Sequence, residues 1–290
     1  MFSARLGFMR PDSVDDTPTL WTPNNITSSN ILAWFDATDP ADLVIESGLV
    51  ARMLDLSGNN TLMRNNYGSQ QALHLPLNQN GCGCLQFDGV DDRYSQSSSE
   101  DGSSSSGNLV TPIVMSNPYA IFSVQNIVVR ASNQQYVSLS GSSPDPWIAS
   151  YLEKSNKFGK IRRDTSTTQV DLQPDTTPGG WHMHYHSYNS NSEPDSWQDT
   201  VDAGSINSET TTITASNTMD NLCIGSLMRR NRSNGYTGAF TAMTWNKTLL
   251  FDKPLSESEQ QKLEGWSAHQ LGITDVLPTD HPYKSSAPEA

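Results

Sequence analysis

Short segments that alternate apolar and polar residues recur along almost the whole chain, and most end in Gly, Asn, Asp or Pro. Alternation with a period of two is typical of β-strands, and the turn residues keep each strand short. The clearest segments are Ile31–Ala37, Tyr119–Arg130, Tyr136–Leu139, Trp147–Leu152, Trp181–Tyr188, Thr210–Thr214, Asn221–Ser226 and Ala239–Trp245. Since no helical pattern separates them, they predict antiparallel sheets packed face to face.

One helical pattern follows, close to the C-terminus. Ser256 and Glu259 have the spacing of a capping box, and Gly272 is placed to end the helix. The sequence therefore predicts one amphipathic helix over residues 255–271 that packs against the sandwich. Its apolar face consists of Leu263, Trp266 and Leu271.

Composition limits the partners that such a domain can have. The 290 residues allow one large β-domain, and a hydrophobic content of 35% implies long polar loops, of which the serine-rich stretch 95–107 is one. No apolar run reaches the about 18 residues of a membrane span. Lys and Arg number 18 against 31 Asp and Glu, a net charge of −13, which disfavours nucleic acid and anionic lipid surfaces as partners.

The first residues of the chain lack the alternating strand pattern of the rest. Residues 1–27 contain Pro11, Pro18 and Pro23 with little periodicity, which predicts an extended arm that docks onto another protein. They contain no apolar stretch typical of a secretory signal peptide, so we expect a chain made in a cytoplasm. The cysteines, at positions 82, 84 and 223, have neither a disulfide-framework nor a usual zinc spacing, and we interpret them as reduced and structural.

Several segments together resemble the laminin-G-like, concanavalin A-type jelly-roll module of bacterial surface proteins and phage virion proteins. The resemblance lies in Leu32–Val44, Leu54–Asn60, Leu85–Tyr94, Gly179–Asn189, Asn221–Ser226, Gly235–Leu249, Pro254–Gly272 and Leu277–Pro288. It implies an all-β, antiparallel two-sheet jelly-roll sandwich with one C-terminal helix. The expected organisation is an N-terminal docking arm at 1–27, the sandwich at 28–272 and a tail at 273–290.

For function, the resemblance implies a non-enzymatic phage virion protein that decorates or cements a head or forms part of a fibre. Its expected partners are other virion proteins, bound through residues 1–27, and copies of itself, with a homotrimer favoured. Weak adhesion to cell-surface glycans is a further expectation. The alternatives are a carbohydrate-binding adhesin and a glycan hydrolase, because one sandwich hosts many functions.

The hydrolase alternative needs two carboxylates placed to act as acid and nucleophile. In hydrolases that share this type of sandwich, the acids alternate along one strand. The nearest pattern here is Glu193-Pro194-Asp195, which has a proline between the acids and lies among turn-forming residues. We therefore predict no catalytic residue and no required cofactor.

Two clusters are candidate metal sites. Asp88, Asp91 and Asp92 form the densest acidic turn, which is interpreted either as a calcium site or as a turn whose carboxylates accept backbone N–H bonds. Alternatively, His182, His184 and His186 fall on one face of a strand. They are interpreted either as ligands of a transition metal, shared between subunits of a trimer, or as part of a half-solvated sheet face or a ladder bonded to neighbouring strands.

Two tryptophans are candidates for glycan binding. Sugar rings stack on exposed aromatic faces flanked by planar polar groups. Trp147 and Trp197 are the best placed, since each is expected in a polar, proline-containing loop. Burial under a loop is the alternative interpretation of both side chains.

Overall fold

The structure is a computed structural model. It describes residues 19–59, 61–65, 68–95, 113, 118–128, 134–140, 147–152, 158–163, 169–172, 179–189, 196–209, 221–229 and 236–290. Residues 1–18 of the predicted arm and 96–107 of the serine-rich loop lie outside these ranges. So do the predicted strand at 210–214 and the acids Glu193 and Asp195.

The described chain is mainly β, with nineteen strands and one α-helix. The strands are β1 Ile31–Asp36, β2 Leu43–Glu46, β3 Leu49–Leu54, β4 Leu62–Arg64, β5 Leu73–Gln79, β6 Cys82–Asp88, β7 Tyr94–Ser95, β8 Tyr119–Ile127, β9 Gln134–Ser140, β10 Trp147–Leu152, β11 Phe158–Arg163, β12 Gln169–Leu172, β13 Trp181–Asn189, β14 Ser196–Val201, β15 Ser205–Glu209, β16 Asn221–Ile224, β17 Leu227–Arg229, β18 Tyr236–Gly238 and β19 Ala242–Phe251. The helix α1 is Glu257–Leu271.

Seventeen of the strands form two curved layers, β17 and β18 form a separate two-stranded sheet, and all the described pairings are antiparallel. The first layer runs β5–β6–β19–β8–β13–β14–β15, with β1 continuing the edge of β19 beyond β6. The second runs β2–β3–β4–β7–β16–β9–β10–β11–β12. One pair, Leu49 opposite Leu73, joins the two layers at their edge. This arrangement confirms the predicted antiparallel sandwich.

The main core lies between the two layers. Alternate residues of β8 and β19, such as Ile121 and Trp245, meet side chains of the second layer, such as Val50 and Tyr136. All four are buried. The alternation that predicts the strands from sequence therefore also supplies the inner face of the sandwich.

A second core covers the outer face of the first layer. Here Phe122, Met183 and Leu249 from β8, β13 and β19 pack with Leu263 and Leu271 of α1. The helix begins after Ser256, whose side chain accepts a hydrogen bond from the Glu259 N–H, and ends at Gly272 with φ 64°. The predicted helix and its apolar face are therefore confirmed, with a start two residues later. Among the described residues, no helix has the length and apolarity that crossing a membrane requires.

A β-bulge in β19 sets which residues face the helix. The register against β8 shifts between Trp245 and Lys247, so Asn246 is an extra residue on one strand. Trp245 points into the main core, whereas Lys247 points out toward α1. The Asn246 amide donates to the backbone oxygen of Gly83 on β6, which holds the bulge in place.

Residues 19–27 and the C-terminal tail belong to the folded domain. The N–H of Trp21 donates to the Pro288 oxygen at 3.0 Å, and the Trp21 side chain is 1% exposed. Glu259 of α1 accepts hydrogen bonds from the backbone N–H groups of Thr27 and Ser28. Burial raises the pKa of Glu259, but hydrogen bonds from the Ser28 side chain, these backbone groups and the Ser256 side chain lower it to about 2. The described part of the predicted arm is therefore attached to the chain's own helix and tail. The docking of residues 1–27 onto another protein stays a prediction.

The buried Lys247 links β19, β1 and α1. Its ammonium lies 2.9 Å from the Asp36 carboxylate, 3.9 Å from the centroid of the Trp266 ring, and contacts the Gln270 side chain. Burial lowers the pKa of Lys247, and the neighbouring Asp36 carboxylate opposes that effect. A buried ion pair of this kind costs desolvation energy, but removing one partner leaves the other charge uncompensated.

We expect Lys247→Ala to lower the free energy of unfolding by about 3–5 kcal/mol, because the Asp36 charge stays buried without its partner. The double variant Lys247→Met, Asp36→Asn should lose less of the free energy of unfolding, since it removes both charges. Urea unfolding measures both effects. Lys253→Ala, at an exposed position just after β19, is the control and should change stability by less than about 0.5 kcal/mol. A Lys247→Ala loss no larger than this control would contradict the linking role.

Candidate functional site

A surface groove of about 750 Å³ lies where β5, β6 and β19 meet the turn that follows β6. We call it the turn groove. Its floor includes a row of outward-facing residues across three strands: Leu73 pairs with Gln86, and Gln86 pairs with Thr244. These residues share the outer face because their inward neighbours, such as Phe87 and Met243, lie in the main core.

The rim of the turn groove is apolar. Leu73, Val90 and Val128 all line it and are 42%, 66% and 50% exposed, respectively. Ser69 and the amide-bearing Gln71 line another part of the wall. Aliphatic surface beside amide and hydroxyl groups matches the usual composition of a small-ligand pocket.

The acidic turn borders the groove, and backbone groups occupy two of its carboxylates. Asp88 accepts hydrogen bonds from the N–H groups of Val90 at 2.7 Å and Asp91 at 3.4 Å. Asp92 accepts one from the Asp88 N–H at 2.7 Å. Gly89 is required between them, because it has φ 77° and a Cβ there would lie 2.7 Å from the backbone nitrogen of Ala242. These contacts match the turn interpretation of the cluster.

The same carboxylates also have a spacing that suits a cation. One oxygen from each of Asp88, Asp91 and Asp92 lies within 4.8 Å of the others, and no other described residues form such a trio. Three carboxylates supply about half of a calcium shell. Burial raises the pKa of Asp92 to about 6, so this carboxyl loses its proton less readily than an ordinary aspartate.

The three histidines of β13 lie on the inner face, as the alternation predicts. His184 and His186 are buried and bond the hydroxyl groups of Tyr136 at 3.0 Å and Tyr119 at 3.2 Å. His182 bonds Asp202 at 2.7 Å. The His182 and His184 ring centroids are 6.4 Å apart. This geometry matches a ladder that ties neighbouring strands together.

The candidate tryptophans both lie on strands. Trp147 opens β10 opposite Ser140 of β9, and Trp197 lies on β14 opposite Tyr188 of β13. The structure describes the backbone of both tryptophans but not their side chains, so their role in glycan binding stays a prediction.

Sequence patterns did not identify the turn groove beyond its aspartates. Gln86 and Thr244 are ordinary strand residues, and only the register of β6 against β19 brings them together. A possible signal was Val90, an apolar residue inside a turn of aspartates and glycine.

We expect Asp92→Asn to stabilise the protein at pH 7.5 relative to wild type, by on the order of 1–3 kcal/mol, and to have little effect at pH 4. The reason is that a carboxyl whose pKa rises from 3.8 to about 6 on folding contributes stability below pH 3.8 and loses it as pH rises through 6. Asparagine keeps an oxygen for the Asp88 N–H. Thermal unfolding at both pH values measures the effect.

Calcium provides the opposing test of the acidic turn. If the turn interpretation is right, millimolar calcium leaves the wild-type melting temperature unchanged. A calcium-dependent rise that Asp92→Asn abolishes would establish the metal interpretation instead.

Comparison with known proteins supports the fold. No family model and no curated protein matches the chain. Domain 4 of a GH43 extracellular arabinanase from Geobacillus stearothermophilus, solved with arabinotriose, has a TM-score of 0.54 and 13% identity over 81% of this chain and 98% of that one. Trypanosoma rangeli sialidase, solved with sialic acid, has a TM-score of 0.50 and 11% identity over 91% of this chain and 37% of that one. The CBM40 of a Ruminococcus gnavus sialidase has a TM-score of 0.40 and 14% identity over 50% of this chain and 82% of that one. At these identities the first two similarities show a shared β-sandwich fold.

Proposed function

We propose that this protein is a non-catalytic carbohydrate-binding β-sandwich and that the turn groove binds the glycan. The observation that carries the proposal is the row formed by Leu73, Gln86 and Thr244 beside the exposed Val90 and Val128. An amide and a hydroxyl bond sugar hydroxyls, while the aliphatic rim covers the apolar face of a ring. The arabinanase domain, whose fold is similar, is solved in complex with arabinotriose, and this supports the proposal.

Charge favours neutral glycans over acidic ones. The lining of the groove includes Asp88 and Asp92 but no lysine or arginine among the described residues. The whole chain carries a net charge of −13. An anionic sugar would therefore enter an unfavourable field without a cation to pair with.

The absence of catalysis is part of the same proposal. The acids that line the groove sit together on one turn, and two backbone N–H groups bond Asp88 while another bonds Asp92. A glycosidase needs carboxylates on opposite sides of the scissile bond, about 5–9.5 Å apart. The adhesin alternative therefore fits the groove better than the hydrolase alternative does.

The test is calorimetric titration of the folded protein with neutral oligosaccharides, arabinotriose among them. We expect binding that falls at least fivefold in Gln86→Ala and further when Thr244→Ala is added, because each change removes a hydrogen-bonding group. Lys253→Ala, at an exposed position beyond the far end of β19 and in neither pocket lining, is the control and should bind normally. Full affinity in the double variant would overturn the assignment of this groove, and glycan cleavage lost in Asp92→Asn would overturn the non-catalytic proposal.

We also propose a location for the protein on a phage particle, which rests on the sequence resemblance. The proposed docking segment is residues 1–27; because Trp21 and Thr27 contact the domain itself, the docking role is tested on residues 1–18, which precede these contacts. Deleting residues 1–18 should abolish incorporation into particles and leave the melting temperature unchanged. Normal incorporation of this truncated chain would contradict the docking role.

A further inference from the structure

A second, smaller pocket lies on another part of the surface, where β14, the first turns of α1 and the C-terminal tail meet. Its volume is about 330 Å³. We call it the helix pocket. Its polar lining includes Gln198, Thr200, Glu257, Gln261, Glu264 and His281. None of them lines the turn groove, so the two sites can be tested separately.

Glu264 is the chemical centre of the helix pocket. Its side chain is 2% exposed, yet it carries a carboxylate on the wall of an open pocket. One oxygen accepts a hydrogen bond from the Gln260 amide at 2.9 Å. The other oxygen, Oε2, lies 3.4 Å from His281 Nε2, which is too long for a good hydrogen bond. One face of a buried carboxylate therefore has spare capacity to accept hydrogen bonds.

His281 turns its Nε2 toward Glu264. Its Nδ1 accepts a hydrogen bond from the Tyr283 backbone N–H at 3.2 Å, which leaves the proton of the neutral ring on Nε2. That Nε2–H is buried and has no hydrogen-bond partner. His281 Nε2 and Glu264 Oε2 thus face each other at 3.4 Å without a well-formed hydrogen bond, and buried polar groups in this condition are costly unless a ligand or water completes them.

The remaining groups define what such a ligand must carry. Glu257 adds a second carboxylate at the wall, and no lysine or arginine lines the pocket in the described part of the chain. Gln198 and Gln261 contribute amides that bond hydroxyl groups in either direction. A volume near the lower end of the range for ligand pockets suits a single sugar ring.

From these observations we propose that the helix pocket binds an amino sugar with a free, protonated amine. The ammonium group pairs with Glu264 Oε2, and a ring oxygen or hydroxyl accepts the His281 Nε2–H. Neighbouring hydroxyls bond the amides of Gln198 and Gln261. A charge-assisted hydrogen bond to a largely desolvated carboxylate is among the stronger polar contacts, so the amine should dominate affinity.

The test is titration of the full chain carrying Gln86→Ala and Thr244→Ala, so that the turn groove does not contribute, at low salt with four probes: glucosamine, glucose, N-acetylglucosamine and ethanolamine. We expect glucosamine to bind at least tenfold more tightly than each of the others, because only glucosamine has both the charge and the ring hydroxyls. Equal affinity for glucose or N-acetylglucosamine would show that the amine is not recognised and would overturn the proposal. Equal affinity for ethanolamine would overturn the sugar part of it.

Variants separate the helix pocket from the turn groove. Glu264→Gln keeps the shape and an acceptor for Gln260, and it should weaken glucosamine binding at least tenfold. Gln86→Ala, in the turn groove, should leave glucosamine binding unchanged. If Glu264→Gln fails to fold, Gln198→Ala at the pocket wall should still weaken glucosamine binding severalfold.

Two further results would overturn this proposal. The first is that the wild type does not bind glucosamine. That result would overturn the amino-sugar proposal whether or not neutral glycans bind the turn groove. The second is stoichiometric displacement of glucosamine by calcium, which would identify the pocket as a cation site instead.

Discussion

The structure depends on β19, which is buried along nearly its whole length. β8 pairs with one edge of this strand, and β6 and then β1 pair with the other. Its inward side chains, such as Trp245 and Leu250, fill the core between the layers, and its outward side chains, such as Leu249, support α1. The bulge at Asn246 allows β19 to contribute to both cores, because it changes which alternate residues of the strand face the helix.

Both proposed sites follow from this arrangement. The turn groove forms where β19 begins, beside the end of β6, so its Gln86 and Thr244 are fixed by strand register and not by a loop. The helix pocket forms where α1 and the tail lie against β14, and the tail is held there by contacts such as Tyr283 against Gly265. Sites on rigid elements lose little entropy when a ligand binds.

Sequence patterns predicted the fold well, and for clear physical reasons. Strands of the first layer, such as β8 and β13, combine β-branched or aromatic residues with turn residues at their ends, and the helix carries its own capping signals at Ser256 and Gly272. The polar strands β14 and β15 lack that apolar content and were not predicted. Their pairing with β13 is a tertiary effect that overrides local propensity.

The candidate sites were harder to predict, because ligand-binding groups are brought together from distant parts of the chain. His184 illustrates the difficulty. Alternation placed it on one face with its two neighbours, but only the partner layer shows that Tyr136 bonds it. Likewise, Glu264 and His281 are unremarkable in sequence, and the packing of the tail on α1 makes them neighbours. A local sequence pattern indicates whether a segment is a strand or a helix, but it does not indicate which other segments pack against it.

The proposed glycan site lies on the outer face of the first layer, beside the acidic turn. NMR spectra of the isotopically labelled full chain, recorded during titration with a neutral oligosaccharide, test it residue by residue. We expect the largest chemical-shift changes to cluster at Leu73, Gln86, Val90 and Thr244, including the Gln86 side-chain amide. Changes concentrated instead on β10, β14 or β15, with the groove residues unmoved, would contradict it.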